Sequence, residues 1–173
     1  MNTFKPPTYK YCPMCGKGLT EIKVNGEAYQ ACSDRTICKW IRWEHTPITV
    51  AVIIRDLNDS EKILLVKRNN EPFKGLWSLP AGFAEYGEMP SEAARRELKE
   101  EVGLSASHLK LIGQYLESSH PKTFSILNVF IADGITGNAS PSDDAEELAY
   151  YSWRSLPKMA FAGQVLAIDN FFK

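Results

Sequence analysis

A chain of 173 residues with 44% hydrophobic and 24% charged side chains suits one ordinary globular domain plus a small module, and excludes disordered, collagen-like and fibrous classes. Twenty basic against 21 acidic side chains leave a formal net charge of −1, so the overall balance marks neither a general nucleic-acid binder nor a membrane-surface binder. Any partner must be held by a local site.

In chain order, residues 1–11 carry polar and proline side chains where a secretion signal needs an apolar run, and no segment reaches the roughly 20 apolar residues of a membrane helix; a cytoplasmic location is expected. All four cysteines, Cys12, Cys15, Cys32 and Cys38, fall in the first quarter of the chain. In a reducing compartment, paired thiolates more readily fill a tetrahedral zinc site than form disulfides, and zinc can fold a segment with almost no core. Cys12-Pro13-Met14-Cys15-Gly16 is a strong half-site, whereas the five residues between Cys32 and Cys38 require that loop to bulge. Between the pairs, residues 21–29 read as two short strands around an Asn25-Gly26 turn. Residues 1–45 therefore read as a zinc ribbon and residues 46–173 as a second domain. The modest cluster of Lys39, Trp40, Arg42 and Trp43 is expected to pack against that domain rather than against nucleic acid.

Beyond Thr46-Pro47, residues 48–55 and 63–66 read as β-rich apolar runs joined by the turn 57–60, which predicts a hairpin. Residues 78–83 lead into a polar loop. A helix is predicted to start near Pro90, where proline suits the first turn, and to end at Gly103. Residues 109–116, 124–131 and 148–153 read as strands, 163–172 as a helix, and 134–144 as the most loop-like stretch.

The helix 90–102 places Glu97, Glu100 and Glu101 at i, i+3 and i+4, on one face. Such like charges repel, and a divalent cation would relieve them: hard oxygen donors suit Mg²⁺ or Mn²⁺, which commonly bridge to substrate phosphates. Ala94, Leu98 and Val102 can bury the opposite side. Spacing alone leaves open a second reading, a solvated helix in which Arg95, Arg96 and Lys99 balance the glutamates.

The wider pattern separates the two readings. Gly82, five residues, Glu88, seven residues, then 96–104 as Arg-Glu-Leu-Lys-Glu-Glu-Val-Gly-Leu resembles the Nudix box at every fixed position. Lys67-Arg68 and residues 74–82 resemble the strand and loop that precede the box, and the cysteine-rich start is similar to the zinc-ribbon branch containing NADH, FAD and ADP-ribose pyrophosphatases. The resemblance implies a fold of the α/β class, an α/β/α sandwich with a mixed sheet. It implies an enzyme that cleaves a nucleoside diphosphate linked to another group with Mg²⁺ or Mn²⁺ as cofactor. By position, Glu97, Glu100 and Glu101 would bind the catalytic metal together with the Ala81 carbonyl, Glu88 and Arg96 would pair to brace the loop, and Glu97 or Glu101 would serve as general base. Glu147 is chosen as a further metal-binding carboxylate over Glu146 and Asp144.

Arg68 or Lys67 is a candidate phosphate contact, and Phe73, Tyr115 and Phe124 are candidate stacking platforms for an adenine ring. The Ser-Gln-Pro-Trp-Pro-Phe-Pro signature of NADH pyrophosphatases is missing from residues 113–121, so ADP-ribose, FAD or a related adenylated compound is the expected small-molecule substrate. The alternative is a nucleotide-sensing or scaffolding protein that kept the fold without turnover. His45, His108 and His120 form no catalytic pattern, and His120 is expected to be an ordinary loop histidine. Four thiolates leave zinc no open position, so the ribbon is expected to stabilise the fold or contribute to a homodimer interface rather than to catalyse.

Overall fold

The computed structural model describes residues 9–42, 46–120, 124–142 and 145–173. Residues 1–8, Trp43, His45, Pro121 and Asp144, all weighed in the sequence, lie outside them. The chain separates into two compact units, Met1–His45 and Thr46–Lys173. Among the described residues, no helix is long and apolar enough to cross a membrane.

In the first unit β1 (Leu19–Val24) and β2 (Glu27–Cys32) pair antiparallel, in register from Leu19 opposite Cys32 to Val24 opposite Glu27. Asn25 and Gly26 have φ of 51° and 90°. Positive values at both central residues mark the primed turn whose twist matches a two-residue hairpin, as Asn-Gly predicts.

The second unit holds β3 (Ile48–Ile54), β4 (Lys62–Arg68), β5 (Trp77–Ser78), β6 (Ala81–Phe83), α1 (Pro90–Val102), β7 (Ser105–Glu117), β8 (Ser125–Thr136), β9 (Ala145–Ser152) and α2 (Ala162–Phe172). A mixed sheet runs in the order β6-β3-β8-β7 with β3 and β8 parallel, and an antiparallel sheet runs β5-β4-β9. Side-chain alternation along the strands feeds two cores. Val50, Val52 and Ile54 of β3, Leu64 and Val66 of β4 and Phe130 of β8 pack with Ala94, Leu98 and Val102 of α1. Ala51, Ile53, Ile63, Leu65, Val129 and Ile131 pack on the other side with Ala167 and Ile168 of α2. Helices on both faces of sheet layers make this the α/β/α sandwich with a mixed sheet.

Two expectations are corrected. The runs 48–55 and 63–66 are not a hairpin: β3 lies between β6 and β8, β4 lies between β5 and β9, and only an Arg55–Ile63 bridge and an Asp56 N–H to Lys62 carbonyl bond of 2.9 Å join their ends. Both strands are buried on both faces, so each requires two strand neighbours of its own. The stretch 134–144 does not begin as a loop, because β8 continues to Thr136, where Ala106 and Ser105 lie opposite Ile135 and Thr136. β7 starts directly after the helix cap, and its first residues draw that segment into the ladder. At the other end of the sheet system, β9 stops at Ser152 and Trp153 opens a short 3₁₀ turn.

The helix keeps its predicted limits. Pro90 occupies the first helical position, the Glu92 side chain accepts a 3.0 Å bond from the Met89 N–H, and Gly103 closes the helix at φ 72°. Leu98 is fully buried in the core it shares with β3, β4 and β8, so Leu98→Ala is expected to lower unfolding free energy by about 2–5 kcal/mol in a denaturant titration, by lost transfer plus a residual cavity. A loss below about 1 kcal/mol would mean the α1 interface is not the close-packed core described.

Candidate functional site

The acidic face of α1 looks onto the strand β6 that precedes it, and a bidentate brace fixes the intervening loop. Arg96 donates from Nε to Glu88 Oε1 at 2.9 Å and from Nη2 to Glu88 Oε2 at 3.0 Å, while Nη2 also reaches the Phe83 carbonyl at 2.9 Å. The Glu85 N–H adds a 2.8 Å bond to Glu88. Hydrogen bonds from Arg96 and then Glu85 hold the Glu88 carboxyl below its usual range. Its contribution is therefore present above the ordinary carboxylate range and is lost only as acid reaches the lowered value.

The same guanidinium touches the helix carboxylates: Nη1 donates to Glu97 at 2.8 Å and to Glu100 at 3.0 Å. Glu97 is recessed, and burial raises its pKa against the pull of Arg96; Glu100 is mostly exposed. Glu101 turns toward the strand, where its Oε2 accepts the Ala81 N–H at 2.7 Å. Gly82 lies flush beneath Glu97, and a Cβ there would overlap that carboxylate. Glycine is needed here for space rather than for backbone freedom.

From the other core, buried Gln164 of α2 accepts the Leu79 N–H at 2.8 Å and ties down the backbone two residues before Ala81. Ser142 donates its N–H to the Glu101 carbonyl at 3.2 Å, bringing the segment after β8 to the end of α1. Together these elements enclose a cleft of about 480 Å³ lined by Glu97, Glu100, Glu101, Ala81, Arg68, Asn70 and Ser142.

Of the residues singled out in the sequence, Glu97, Glu100, Glu101, Ala81 and Arg68 meet at this cleft, with Glu88 and Arg96 behind it. Arg68 donates from Nε to the Pro72 carbonyl at 3.0 Å and lies over the Phe161 ring, 5.1 Å from its centroid. Lys67 instead pairs with Glu146 at 2.8 Å, and Glu147 lies 3.9 Å from the same ammonium, exposed and not lining the cleft. Tyr115 packs against the core beneath α2, while Phe73 stands edge-on to Phe161 and His120. Phe124 is partly exposed just before β8. Asn70 and Ser142 escaped the sequence reading: both sit in connecting segments, and no residue-type pattern marks either.

In the first unit, the four cysteine sulfurs lie within 4.8 Å of one another, with Cys12 to Cys38 at 3.7 Å and Cys15 to Cys32 at 3.5 Å. Zinc–sulfur bonds of about 2.3 Å in a tetrahedron separate sulfurs by roughly 3.8 Å, so the donor set fits that ion. The long second loop bulges as its spacing requires. Asp34 accepts the Thr36 and Ile37 N–H groups, its carbonyl accepts the Cys38 N–H at 3.0 Å, and Lys17 pairs with its carboxylate.

The NUDIX domain model matches residues 45–171. An ADP-ribose pyrophosphatase of Methanocaldococcus jannaschii is 42% identical over 136 residues, 78% of this chain and 79% of that protein. An NAD-capped RNA hydrolase NudC of Vibrio atlanticus is 32% identical over 90% of this chain, and the chain spans about half, 54%, of its length. Among solved structures, a NUDIX hydrolase from Nitrosomonas europaea superposes with a TM-score of 0.70 over 94% of this chain and 90% of its own, at 24% identity. The NUDIX domain of Shewanella oneidensis NrtR, solved in complex with ADP-ribose, gives 0.64 over 76% and 91% at 20% identity; both likenesses speak for the fold. With a family model over most of its length and a 42% identical relative aligned through the box, the chain belongs to the Nudix hydrolase family.

Proposed function

We propose that this enzyme hydrolyses the diphosphate bridge of ADP-ribose or a related adenylated compound such as FAD, with Mg²⁺ or Mn²⁺ as cofactor and AMP as a product. The observation that carries the reading is the convergence of Glu97, Glu100 and Glu101 with Ala81 and Arg68 on one cleft. The donor set is hard oxygen throughout, which fits a hydrated divalent ion. The three glutamates and the Ala81 carbonyl would hold that ion, which when bound would neutralise phosphate charge and acidify a water.

The chain's own groups do the rest. Arg68 offers charge-assisted hydrogen bonds to a phosphate oxygen across the cleft from the acidic helix. The Ala81 N–H keeps Glu101 on the strand side, and the Glu88–Arg96 brace holds the loop so that Glu97 stays recessed. Water attacks one phosphorus, its proton passes to Glu97 or Glu101, and the phosphoanhydride bond breaks with the second phosphate leaving. Glu147, away from the cleft in this arrangement, would join the site only by reorienting from Lys67.

ADP-ribose is preferred to a capped RNA because the match covers most of the archaeal pyrophosphatase and only about half of the NudC proteins. The zinc ribbon is assigned a structural part, in fold stability or a homodimer interface, and the enzyme a place in the cytoplasm, where paired thiolates fill a zinc site more readily than they form disulfides.

The test is AMP release from ADP-ribose, FAD and NADH in the presence of Mg²⁺, followed by chromatography. Glu100→Gln and Glu101→Gln are each expected to lower kcat by about a hundredfold or more, with unchanged unfolding. Turnover that persists without divalent metal would refute the mechanism, and binding without any turnover would favour the nucleotide-sensing alternative.

A further inference from the structure

A second groove, of about 680 Å³, lies at the start of α2 and includes Phe161, the residue beneath the Arg68 guanidinium. Phe161, Met159, Leu156 and Val165 line it together with Ser119 and Asp169. Phe161 joins the two cavities. Its ring lines this groove, lies under the Arg68 guanidinium at 5.1 Å, and meets Phe73 edge-on at 5.6 Å; Phe73 in turn meets His120 at 6.5 Å. Arg68 lines the acidic cleft, and through its guanidinium over Phe161 it adjoins the groove that Phe161 lines. None of these aromatic rings belongs to the Nudix box.

We propose that Phe161, backed edge-on by Phe73, is the stacking platform for the substrate's nucleobase, and that the groove receives the adenosine half of the molecule while the diphosphate lies across Arg68. This rests on the hydrolase reading above and names where its specificity resides. A diphosphate held against the glutamates with a phosphate on Arg68 can extend one of its two substituents toward Phe161, and the groove met there is mostly apolar, with Ser119 and Asp169 as its polar members, suited to a planar heterocycle. The volume admits a nucleoside. A guanidinium that lies over a ring and also meets phosphate aligns both halves of a nucleotide at once. Of the platforms expected from sequence, Phe73 contributes by supporting Phe161, whereas Tyr115 is partly buried against the core beneath α2.

The experiment measures ADP and inorganic pyrophosphate binding to the full chain by calorimetry with Mg²⁺, in wild type, Phe161→Leu and Phe161→Tyr. ADP binding is expected to weaken about five- to tenfold in F161L and to recover in F161Y, with pyrophosphate binding unchanged throughout. Unaltered ADP binding in F161L overturns the proposal. Equal weakening of ADP and pyrophosphate also overturns it, showing that Phe161 serves only to hold Arg68. Should F161L fold poorly, saturation-transfer NMR on the wild type decides: adenine H2 and H8 are expected to receive more saturation than the ribose protons, and the reverse order rules the platform out. These readouts need no turnover, so an enzyme inactive on every diphosphate compound would refute the hydrolase reading while leaving the platform separately measurable.

Discussion

Gly82→Ala is expected to lower kcat/KM for ADP-ribose by about a hundredfold although the substitution adds one methyl group away from the substrate. The backbone of Gly82 is an ordinary strand conformation, in register with Val50, so alanine meets no dihedral penalty. The obstacle is steric: a Cβ would overlap the Glu97 carboxylate. Glu97 must swing off its position, losing the 2.8 Å bond from Arg96, and a displacement of about 1 Å in a catalytic constellation costs roughly a hundredfold. A double-mutant cycle separates this from general damage to β6. Glu97→Ala removes the atoms that clash, so G82A should lower the melting temperature in the wild-type background and have almost no effect on it in E97A, while activity stays low in both. A G82A enzyme of normal activity would mean that Glu97 has no fixed place in catalysis. Equal destabilisation in both backgrounds would trace the effect to the strand instead.

The helix and its acidic face were legible because their determinants are local. Pro90 at the first position, Gly103 at the left-handed cap and the i, i+3, i+4 spacing of the glutamates all act within a few residues. The brace was legible from the resemblance of Glu88 and Arg96 to the box. Strand partners were not, because β3 and β4 are apolar on both faces and such runs carry no record of which strand lies beside them; β3 pairs with β8, more than 70 residues away. The bulge at Lys67/Arg68 in the β4–β9 ladder decides where Glu146 and Glu147 fall, and no spacing rule anticipates it. Phe161 was passed over for a similar reason, since only tertiary structure brings it under Arg68 and against Phe73.

Zinc removal is expected to unfold the first unit while leaving hydrolysis within about twofold once Mg²⁺ is restored. A two-stranded hairpin has too little apolar surface to persist alone in water, and the described residues of this unit bury only Cys12, Ala31 and Cys32 fully. A structural zinc supplies an apparent binding free energy of about 10–16 kcal/mol in comparable small folds, more than such a hairpin can replace. Burial pushes the Cys32 thiol up to about 12, so in the absence of metal that sulfur holds its proton; zinc must displace it, and retention of the ion therefore weakens as pH falls. Elemental analysis should find one zinc per chain in wild type and none in Cys32→Ser. Limited proteolysis of C32S should cut within residues 9–42 and spare residues 46–173. Zinc-free wild-type protein that resists cleavage would overturn the structural assignment. An activity loss well beyond twofold in the cleaved but otherwise folded enzyme would show that the ribbon serves the site as well as itself.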